Sequence, residues 1–548
     1  MKILTSPIHW IDKVAADIER YWKSSREIIC NGGLSVSGLQ HVGRLRGEIV
    51  LIDAVRRILE ENGRIVRHLL VLYTQDNWKG KDAQLKAFKN AEEASKYKGW
   101  RLIDVPDPKD CHRNWVEHYW ESFGDHLHEF AKSVEVYTTT QLYKMDSMKE
   151  VVREILLKKE DVRAIINKYR GRKPYPENWI PYDPLCGNCR RIDSAEPLEV
   201  DLESYKVKYV CRNCGYGDWC SMEDGKLNWR LEWTAIWKAL KVMFEPYGKD
   251  HATPGGSRDS CVDLAINALN FKPPIGVAYE WVGYVVGGKD LGDMGSSDFI
   301  GFTPEDWVKV AEPEVLRYYY IISDNMKRLT LSLDQVYHYV ELYDFAERVY
   351  YGIEKPDKEA WEAALMKRSF ELSQLKPIPR EMPFQLKYLH AVILVQTLPE
   401  EGLLENAIRR LKSTGVLLKD PDPLSVSRID SRLKKAFNWL KLYAPDEFHV
   451  RLLESLPPQL KSSLSSRDKD LLKNLMELFK PIEWNEESIK KTMMRFTSTV
   501  SKSESQMLFK ALYTVFFGRT SGPRIAPYLA MLDKNWVLNR LKEVTSEG

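Results

Sequence analysis

The feature that most constrains this chain is a succession of three signals near its start. Residues Glu27-Ile-Ile-Cys-Asn31 read as a short strand, and glycines at 32, 33 and 38 make the loop that follows. An apolar stripe of Leu51, Ile52, Val55, Ile58 and Leu59 then has helical spacing. Asn62-Gly63 stops that helix, and a second apolar strand, Ile65 to Tyr73, begins at once. Strand, loop, helix and strand in this order predict a βαβ unit opening a parallel sheet. Ligands of such sheets bind at strand carboxyl ends and helix N-termini, which places a candidate site on the loop from Gly33 to Arg44.

At 548 residues the chain is expected to hold two to four domains. Its 44% apolar and 29% charged residues fit a globular protein and exclude a disordered or collagen-like one. Lys+Arg minus Asp+Glu is 81 − 78 = +3, so no polyanionic partner is demanded, although a basic face fits inside a balanced total. No apolar run reaches the roughly 18–20 residues that span a bilayer, and Met1 to Lys13 lacks a signal-peptide core. A soluble, cytoplasmic protein with no membrane partner is expected.

Further along, 147–169 reads as one amphipathic helix, and Ile275 to Val286 is strand-like. From about Val308 helical periodicity dominates, with linkers near 376–383, 419–423 and 457–458. An α/β half is thus followed by an all-helical half.

Five of the eight cysteines fall between 186 and 220. Cys186-Gly-Asn-Cys189 and Cys211-Arg-Asn-Cys214 have the spacing of a tetrahedral four-thiolate zinc ribbon, with a hairpin between the two knuckles. Disulfides or free thiols are the bland alternative. Four thiolates leave no open coordination position, so the zinc is expected to be structural. Cys220 is a fifth thiol or an alternative ligand. Cys30, Cys111 and Cys261 stand alone and read as small buried apolar residues.

The string Gly33-Leu-Ser-Val-Ser-Gly38-Leu-Gln-His41-Val-Gly43-Arg44 carries the chemistry. Glycines let backbone approach a phosphate closely, and a helix N-terminus offers free N–H groups and a positive dipole end. A histidine there can donate to a phosphoryl oxygen in a transition state. The string resembles the HIGH motif of class I aminoacyl-tRNA synthetases. The resemblance to the class I, archaeal-type lysyl-tRNA synthetases runs over most of the chain. It is carried by His9-Trp10, Val105-Pro-Asp-Pro108 with Cys111-His112, Pro176-Glu-Asn-Trp179 and Trp229-Arg-Leu-Glu232-Trp233. Further matches are Phe244-Glu-Pro-Tyr-Gly248-Lys-Asp-His251, Gly255-Gly256-Ser257, Tyr279-Glu-Trp281, Leu316-Arg317-Tyr318, Phe517-Gly518-Arg519 and Gly522-Pro523-Arg524.

The resemblance implies an α/β Rossmann-type catalytic domain with a parallel sheet and a zinc-ribbon-bearing insertion. An all-α C-terminal half, a stem-contact fold and a helical cage, follows. The implied boundaries are 1–100 and 226–307 for the two catalytic halves, 101–225 for the insertion (zinc element 186–220), 308–380 for stem contact and 381–548 for anticodon binding. The implied reaction joins L-lysine to ATP, with Mg²⁺, giving lysyl-adenylate and pyrophosphate. The lysyl group then passes to the 3′ end of tRNA. The resemblance puts Gly38, His41, Gly43 and Arg44 at the ATP phosphates, Gly255, Gly256 and Ser257 at the adenosine, and Met294, Ser296 and Ser297 in the second signature loop. Gly33, Ser35, Trp229, Glu232 and His251 line the implied amino-acid pocket. Burying an ammonium requires a carboxylate, for which Glu232 is the candidate, and an indole such as Trp229 covers the aliphatic stem. The acceptor end of tRNA would meet the catalytic domain, beside Lys168, Arg170, Arg172 and Lys173. The anticodon would meet the helical half, at Arg519 and Arg524. A basic–aromatic run of Arg428, Arg432, Lys434, Lys435, Phe437, Trp439 and Lys441 is a further candidate RNA face, with Lys490, Lys491, Arg495 and Phe496 after it.

Two departures from the family pattern stand out. The loop written KMSSSKG in the family is here Asp293-Met-Gly-Ser-Ser-Asp298, with aspartate at both lysine positions. Losing one preorganised donor costs about 3–4 kcal/mol, so activation is expected to suffer unless Lys289, Mg²⁺ or Arg44 supplies the charge. The alternative this raises is a paralogue that binds RNA without ligating it. Second, the family's Arg-Glu pair after the HIGH motif is here Arg46-Gly47-Glu48. One residue on an α-helix rotates a side chain by about 100°, so Glu48 is expected to miss the pocket.

Overall fold

A computed structural model describes residues 9–171, 173–356, 359–522 and 524–546. Arg172 and Pro523, both in candidate RNA contacts, lie outside the described residues. Contacts divide the chain into two compact units. The first comprises Met1–Trp307, Glu312–Leu331 and Lys355–Ile378, and the second Val308–Ala311, Ser332–Glu354 and Pro379–Gly548. Among the described residues no helix is long and apolar enough to cross a membrane.

In chain order the first unit contains α1 (Trp10–Tyr21), β1 (Glu27–Leu34), α2 (Ile52–Glu61), β2 (Ile65–Leu72), β3 (Glu135–Thr138), α3 (Asp146–Leu157) and α4 (Lys159–Lys168). There follow β4 (Ala195–Asp201), β5 (Lys206–Cys211), β6 (Gly217–Ser221), α5 (Trp229–Ala239), β7 (Phe244–Gly248) and α6 (Ser257–Asn267). Then come β8 (Ile275–Tyr279), β9 (Val282–Val286) and β10 (Lys289–Asp293), and the unit also holds the helices Trp115–Gly124, Pro313–Ile321 and Ala360–Ser373, the strand Leu329–Leu331 and shorter turns. The central sheet is parallel throughout, in the order β8-β7-β1-β2-β3. Ile28, Cys30 and Leu34 of β1 and Leu69 to Leu72 of β2 are buried, the near-continuous apolar run of a sheet covered on both faces. The expected βαβ unit is present, with α2 turning Ile52, Val55, Ile58 and Leu59 inward.

Three local expectations change. The single helix over 147–169 is two, α3 and α4, parted at Lys158. The Lys158 ammonium donates to Glu154 and to the Ala268 carbonyl, each at 2.9 Å, and both helices feed one core through Val151, Ile155, Val162 and Ile166. The run Ile275 to Val286 is also two strands. β8 closes the central sheet, while β9 leaves it to form an antiparallel hairpin with β10. The cysteine segment is a three-stranded antiparallel meander, β4-β5-β6.

The second unit is almost wholly helical, with Trp439 fully buried among Tyr337, Tyr388 and Phe448. Burial corrects the basic–aromatic run. Arg432 is buried against Asp344 at 2.9 Å, Arg428 is paired with Glu347 at 2.7 Å, and Lys435 donates to the Val308 carbonyl. Of that run, Lys434, Phe437 and Lys441 remain on the surface; Lys490, Lys491 and Arg495 are exposed, with Lys491 paired to Glu487 at 3.1 Å, whereas Phe496 is buried and offers no stacking face.

The entry into α2 positions the site. After β1 the loop makes a single 3₁₀ turn, Val42–Arg44, then a wide π-type turn, Arg46–Leu51, before α2 begins. Such turns absorb one extra residue inside a helix and concentrate at functional sites. The buried Arg46 guanidinium holds this one, donating to the carbonyls of Glu280 (2.7 Å), Lys327 (3.0 Å) and Asp324 (2.8 Å). Gly47 admits the Tyr279 ring, whose Cε1 lies only 2.1 Å from where a Cβ would stand. Gly47→Ala is therefore expected to destabilise the fold by about 1–3 kcal/mol through overpacking, measured by denaturant unfolding. The same substitution should displace Tyr279, read as a change in its environment by side-chain NMR.

Candidate active site

The carboxyl ends of β1, β2, β7 and β8 open into a cleft of about 810 Å³. Of the residues singled out from sequence, Gly33, Ser35, His41, Gly43, Arg44, Trp229, His251, Met294, Ser296 and Ser297 line it. Gly38 lies just behind, its Cα facing the Ser296 carbonyl so closely that a Cβ would stand 2.4 Å from that oxygen. Gly255, Gly256 and Ser257 are not among the lining residues and sit at the N-terminus of α6. Glu232 also lies behind the wall, fully buried, accepting from the Tyr143 hydroxyl at 2.9 Å and paired with Lys226 at 2.9 Å. The sequence reading missed Glu48, Tyr73, Asp76, Lys79, Glu245 and Tyr279, all of which face the cleft.

One end of the cleft gathers a buried histidine and two cations. His41 precedes the 3₁₀ turn, pinned by the Val42 N–H to the Phe302 carbonyl (2.9 Å) and the Tyr320 hydroxyl to the Val42 carbonyl (3.0 Å). Burial, with Arg44 beside it, holds the imidazole pKa well below its usual range, so the ring is neutral and can donate one N–H. Arg44 donates from Nε to Ser296 Oγ at 2.9 Å. Among the described residues it has no carboxylate within ion-pair distance, and Lys79 is a second cation facing the cleft. Lys289, named above as a source of charge, is exposed at the start of β10 and does not line the cleft.

The loop after β10 forms the lip. Its two aspartates are tied to cations. Arg328 Nε donates to Asp293 at 2.8 Å, and Lys81 Nζ reaches Asp298 at 2.9 Å. The lip is held at the rim and does not plug the cleft.

The other end is an aromatic and acidic chamber. Trp229 stacks on Trp233 with ring centres 5.1 Å apart and planes 14° from parallel, and His251 packs against both. Glu245 braces this wall, accepting from Asn31 and Trp233 at 3.1 Å each and from Trp237. Burial lifts its pKa to about 7. Glu48, expected to miss the pocket, points into it because the π-type turn absorbs the extra residue. Tyr279 donates to Glu48 Oε1 at 2.6 Å, and among the described residues Oε2 is buried with no partner. Burial raises the Glu48 pKa to about 8 against the opposing pull of Tyr279 and Arg44. A buried carboxylate with one oxygen unspent, in a cleft that also holds stacked indoles, has the chemistry to accept an organic cation.

Two further clusters suit metal ions. The Sγ atoms of Cys186, Cys189, Cys211 and Cys214 all lie within 4.8 Å of one another, with 3.7 Å between Cys186 and Cys214 and 3.6 Å between Cys189 and Cys211. Tetrahedral zinc with sulfur at about 2.3 Å needs sulfurs roughly 3.8 Å apart, so the four thiols fit. Cys220 stands outside the set, in β6, donating to the Ser221 carbonyl. Cys30 and Cys261 are buried as expected, but Cys111 is not a buried apolar residue. It is exposed, with Sγ 3.1 Å from His112 Nδ1 and 3.3 Å from His118 Nδ1, and Asp107 completes a second four-ligand group. The spacing Asp-x₃-Cys-His-x₅-His was visible in the sequence.

Arg519 donates to the His449 carbonyl at 2.9 Å, whereas Arg524 is exposed at the start of the short helix Ile525–Ala530.

Known proteins match this arrangement. The family of tRNA synthetases class I (K) matches residues 8–376, and an anticodon binding domain matches residues 449–545. A lysine–tRNA ligase of Aeropyrum pernix is 44% identical over 545 residues, covering 98% of this chain and 98% of that protein. The lysine–tRNA ligase of Pyrococcus furiosus is 32% identical over 546 residues, covering 98% and 99%. With the family matched over two thirds of its length and a relative this similar end to end, the chain belongs to the class I tRNA synthetases of the K family.

Proposed function

We propose that this protein is a lysine–tRNA ligase. It activates L-lysine with ATP and transfers the lysyl group to the 3′ end of tRNA, in the cytoplasm. The observation that carries this reading is Glu48 Oε2, a buried, unpartnered carboxylate oxygen in the same cleft as His41 and Arg44. One chamber holds an ammonium while the other holds phosphate.

In the first step the lysine carboxylate attacks the α-phosphorus of ATP, and pyrophosphate departs with the electrons of the broken P–O bond. His41 donates to a phosphoryl oxygen, Arg44 and Lys79 face the charge developing on the phosphates, and Ser296 fixes the Arg44 guanidinium. Gly33 and Ser35 border the amino acid, and Trp229 and His251 cover its aliphatic stem. Mg²⁺ accompanies ATP. In the second step a ribose hydroxyl of the tRNA attacks the lysyl carbonyl and AMP leaves. Residues 381–548 read the anticodon, with Arg519 and Arg524 among the contacts, while Lys168, Arg170 and Lys173 approach the acceptor end. Cys186, Cys189, Cys211 and Cys214 would hold a structural zinc, which ties the segment before β4 to the turn between β5 and β6, and Asp107, Cys111, His112 and His118 would hold a second ion.

A second reading, an RNA-binding relative that does not ligate, is favoured by one observation: both lysine positions of the lip carry aspartate. Lysine-dependent ATP–pyrophosphate exchange, run with tRNA present, decides between them. Exchange is expected, and His41→Ala should lower it by about 10²–10³-fold. No exchange with any amino acid, alongside intact tRNA binding, would establish the second reading.

Binding an ammonium needs Glu48 ionised, and its pKa in the free protein is about 8. The KM for lysine is therefore expected to fall as pH rises toward about 8 and then level off. Glu48→Gln should raise KM and remove that inflection. Metal analysis of the purified chain is expected to find two zinc ions, with Cys189→Ser losing one and Cys111→Ser the other, each counted by elemental analysis.

A further inference from the structure

The mixed group of Asp107, Cys111, His112 and His118 lies on the turn and helix against which the lip is docked. We propose that an ion held by this group positions the lip, acting through Tyr119 and Phe299, and so sets where Arg44 stands in the cleft. Tyr119 and Phe299 are positioning residues. The inference rests on the reading above that these four side chains hold an ion.

The donor set fits a zinc ion. Asp107 Oδ1 is 3.1 Å from His118 Nδ1, which lies 3.3 Å from Cys111 Sγ, and that sulfur is 3.1 Å from His112 Nδ1. Tetrahedral zinc, with nitrogen and oxygen at about 2.0–2.2 Å and sulfur at about 2.3 Å, needs donors roughly 3.3–3.8 Å apart. Three of the ligands belong to the turn 107–112, where the backbone N–H groups of Lys109 and Cys111 donate to the Asp107 carboxylate at 2.8 and 2.7 Å. The fourth, His118, is in the helix Trp115–Gly124. An ion therefore ties that helix to the turn before it.

The same helix carries the docking face of the lip. Trp115 and Tyr119, one turn apart, pack with ring centres 4.5 Å apart, and the His118 ring meets Tyr119 edge-on at 4.7 Å. Trp115 is anchored separately, donating to the Val36 carbonyl at 3.1 Å. The Phe299 ring of the lip stands edge-on to Tyr119 at 5.3 Å and to Trp115 at 6.3 Å. It also presses on Gly38, where a Cβ would stand 3.1 Å from the ring. This docking holds backbone strain. Phe299 has φ +57°, a left-handed conformation that a bulky residue keeps only where its surroundings impose it. Around it the lip closes on itself, with mutual hydrogen bonds between Gly295 and Ile300 at 2.9 and 3.1 Å. Ser296, inside that loop, accepts from Arg44 Nε at 2.9 Å. A continuous run of contacts thus leads from His118 to Arg44. Without the ion His118 is no longer fixed, and Tyr119 loses the neighbour that steadies it under Phe299.

Hydrogen–deuterium exchange of the full chain tests this at the Gly295 and Ile300 amides, which are hydrogen-bonded while the lip is closed. Zinc is counted on the same samples. Cys111→Ser is expected to lose one ion and to speed deuteration of both amides by about 3- to 10-fold, the range that an aromatic contact supports. Cys189→Ser, which loses the other ion, should leave both amides within about twofold. Phe299→Leu should speed deuteration as Cys111→Ser does while keeping both ions. Combining Cys111→Ser with Phe299→Leu should add nothing to either change alone, because both break one run of contacts. In the ATP–pyrophosphate assay Cys111→Ser and Phe299→Leu should raise KM for ATP and spare KM for lysine. Deuteration unchanged in Cys111→Ser, equally fast in Cys189→Ser, or additive in the combination overturns the proposal. So does a wild type that holds zinc at the four cysteines alone, which removes the reading of the second ion with it. If the wild type activates no amino acid, the ligase reading falls and deuteration of the lip still decides this one. Should Cys111→Ser fail to fold, Cys111→Asp keeps an anionic ligand, and deuteration of the lip is expected to slow as zinc is titrated in. A lip indifferent to zinc overturns the proposal.

Discussion

The burial of charge where the first strand hands over to its helix organises this catalytic unit. Arg46 and Glu48, two residues apart, are both buried. Desolvation penalises each, and the protein answers them differently. Arg46 is satisfied by three carbonyls from the segments 280 and 324–327, which clamps the π-type turn to the far edge of the sheet. Glu48 is only half satisfied, by one hydroxyl. The first residue supplies rigidity, and the second keeps a buried oxygen that has no partner among the described residues. The glycines at 32 and 47 follow from the same constraint, because Glu48 and Tyr279 occupy the space their side chains would need.

Which parts of this were legible in the sequence follows from how local each signal is. The βαβ opening and the convergence of four cysteine thiols are written in period and spacing, and both are present. Glu48 was misjudged because the reading assumed 3.6 residues per turn, and nothing in the local sequence announces a π-type turn held by carbonyls more than 230 residues away. Glu232 carries the right chemistry, but its partner Lys226 faces it across the turn into α5, so its charge is spent behind the wall. The arginines at 428 and 432 looked like an RNA face for the same reason, since their carboxylate partners Glu347 and Asp344 lie on another helix. Cys111 is the instructive miss. Its ligand-like neighbours are within seven residues in sequence, but a mixed Asp, Cys and His set lacks the regular spacing by which CxxC pairs announce a metal site.

The lip shows how pairing alters the meaning of a substitution. Aspartate in place of lysine at 293 and 298 reads, residue by residue, as two positive charges lost and two negative ones gained. In the folded protein each aspartate has a cation beside it, Asp298 paired with Lys81 and Asp293 sharing Arg328 with Asp290. Pairing therefore offsets part of the added negative charge, while the two positive charges of the family pattern are lost. Arg44 and Lys79 line the same cleft. Stabilisation of a developing phosphate charge depends on the field at the reacting atoms and on how little the donors must move. Arg44, held by Ser296 of the lip itself, meets the second condition better than a lysine on a mobile loop would. The hydroxyl that the signature loop retains thereby gains a purpose: it no longer accompanies a cation of its own loop but orients one supplied by the helix entry across the cleft.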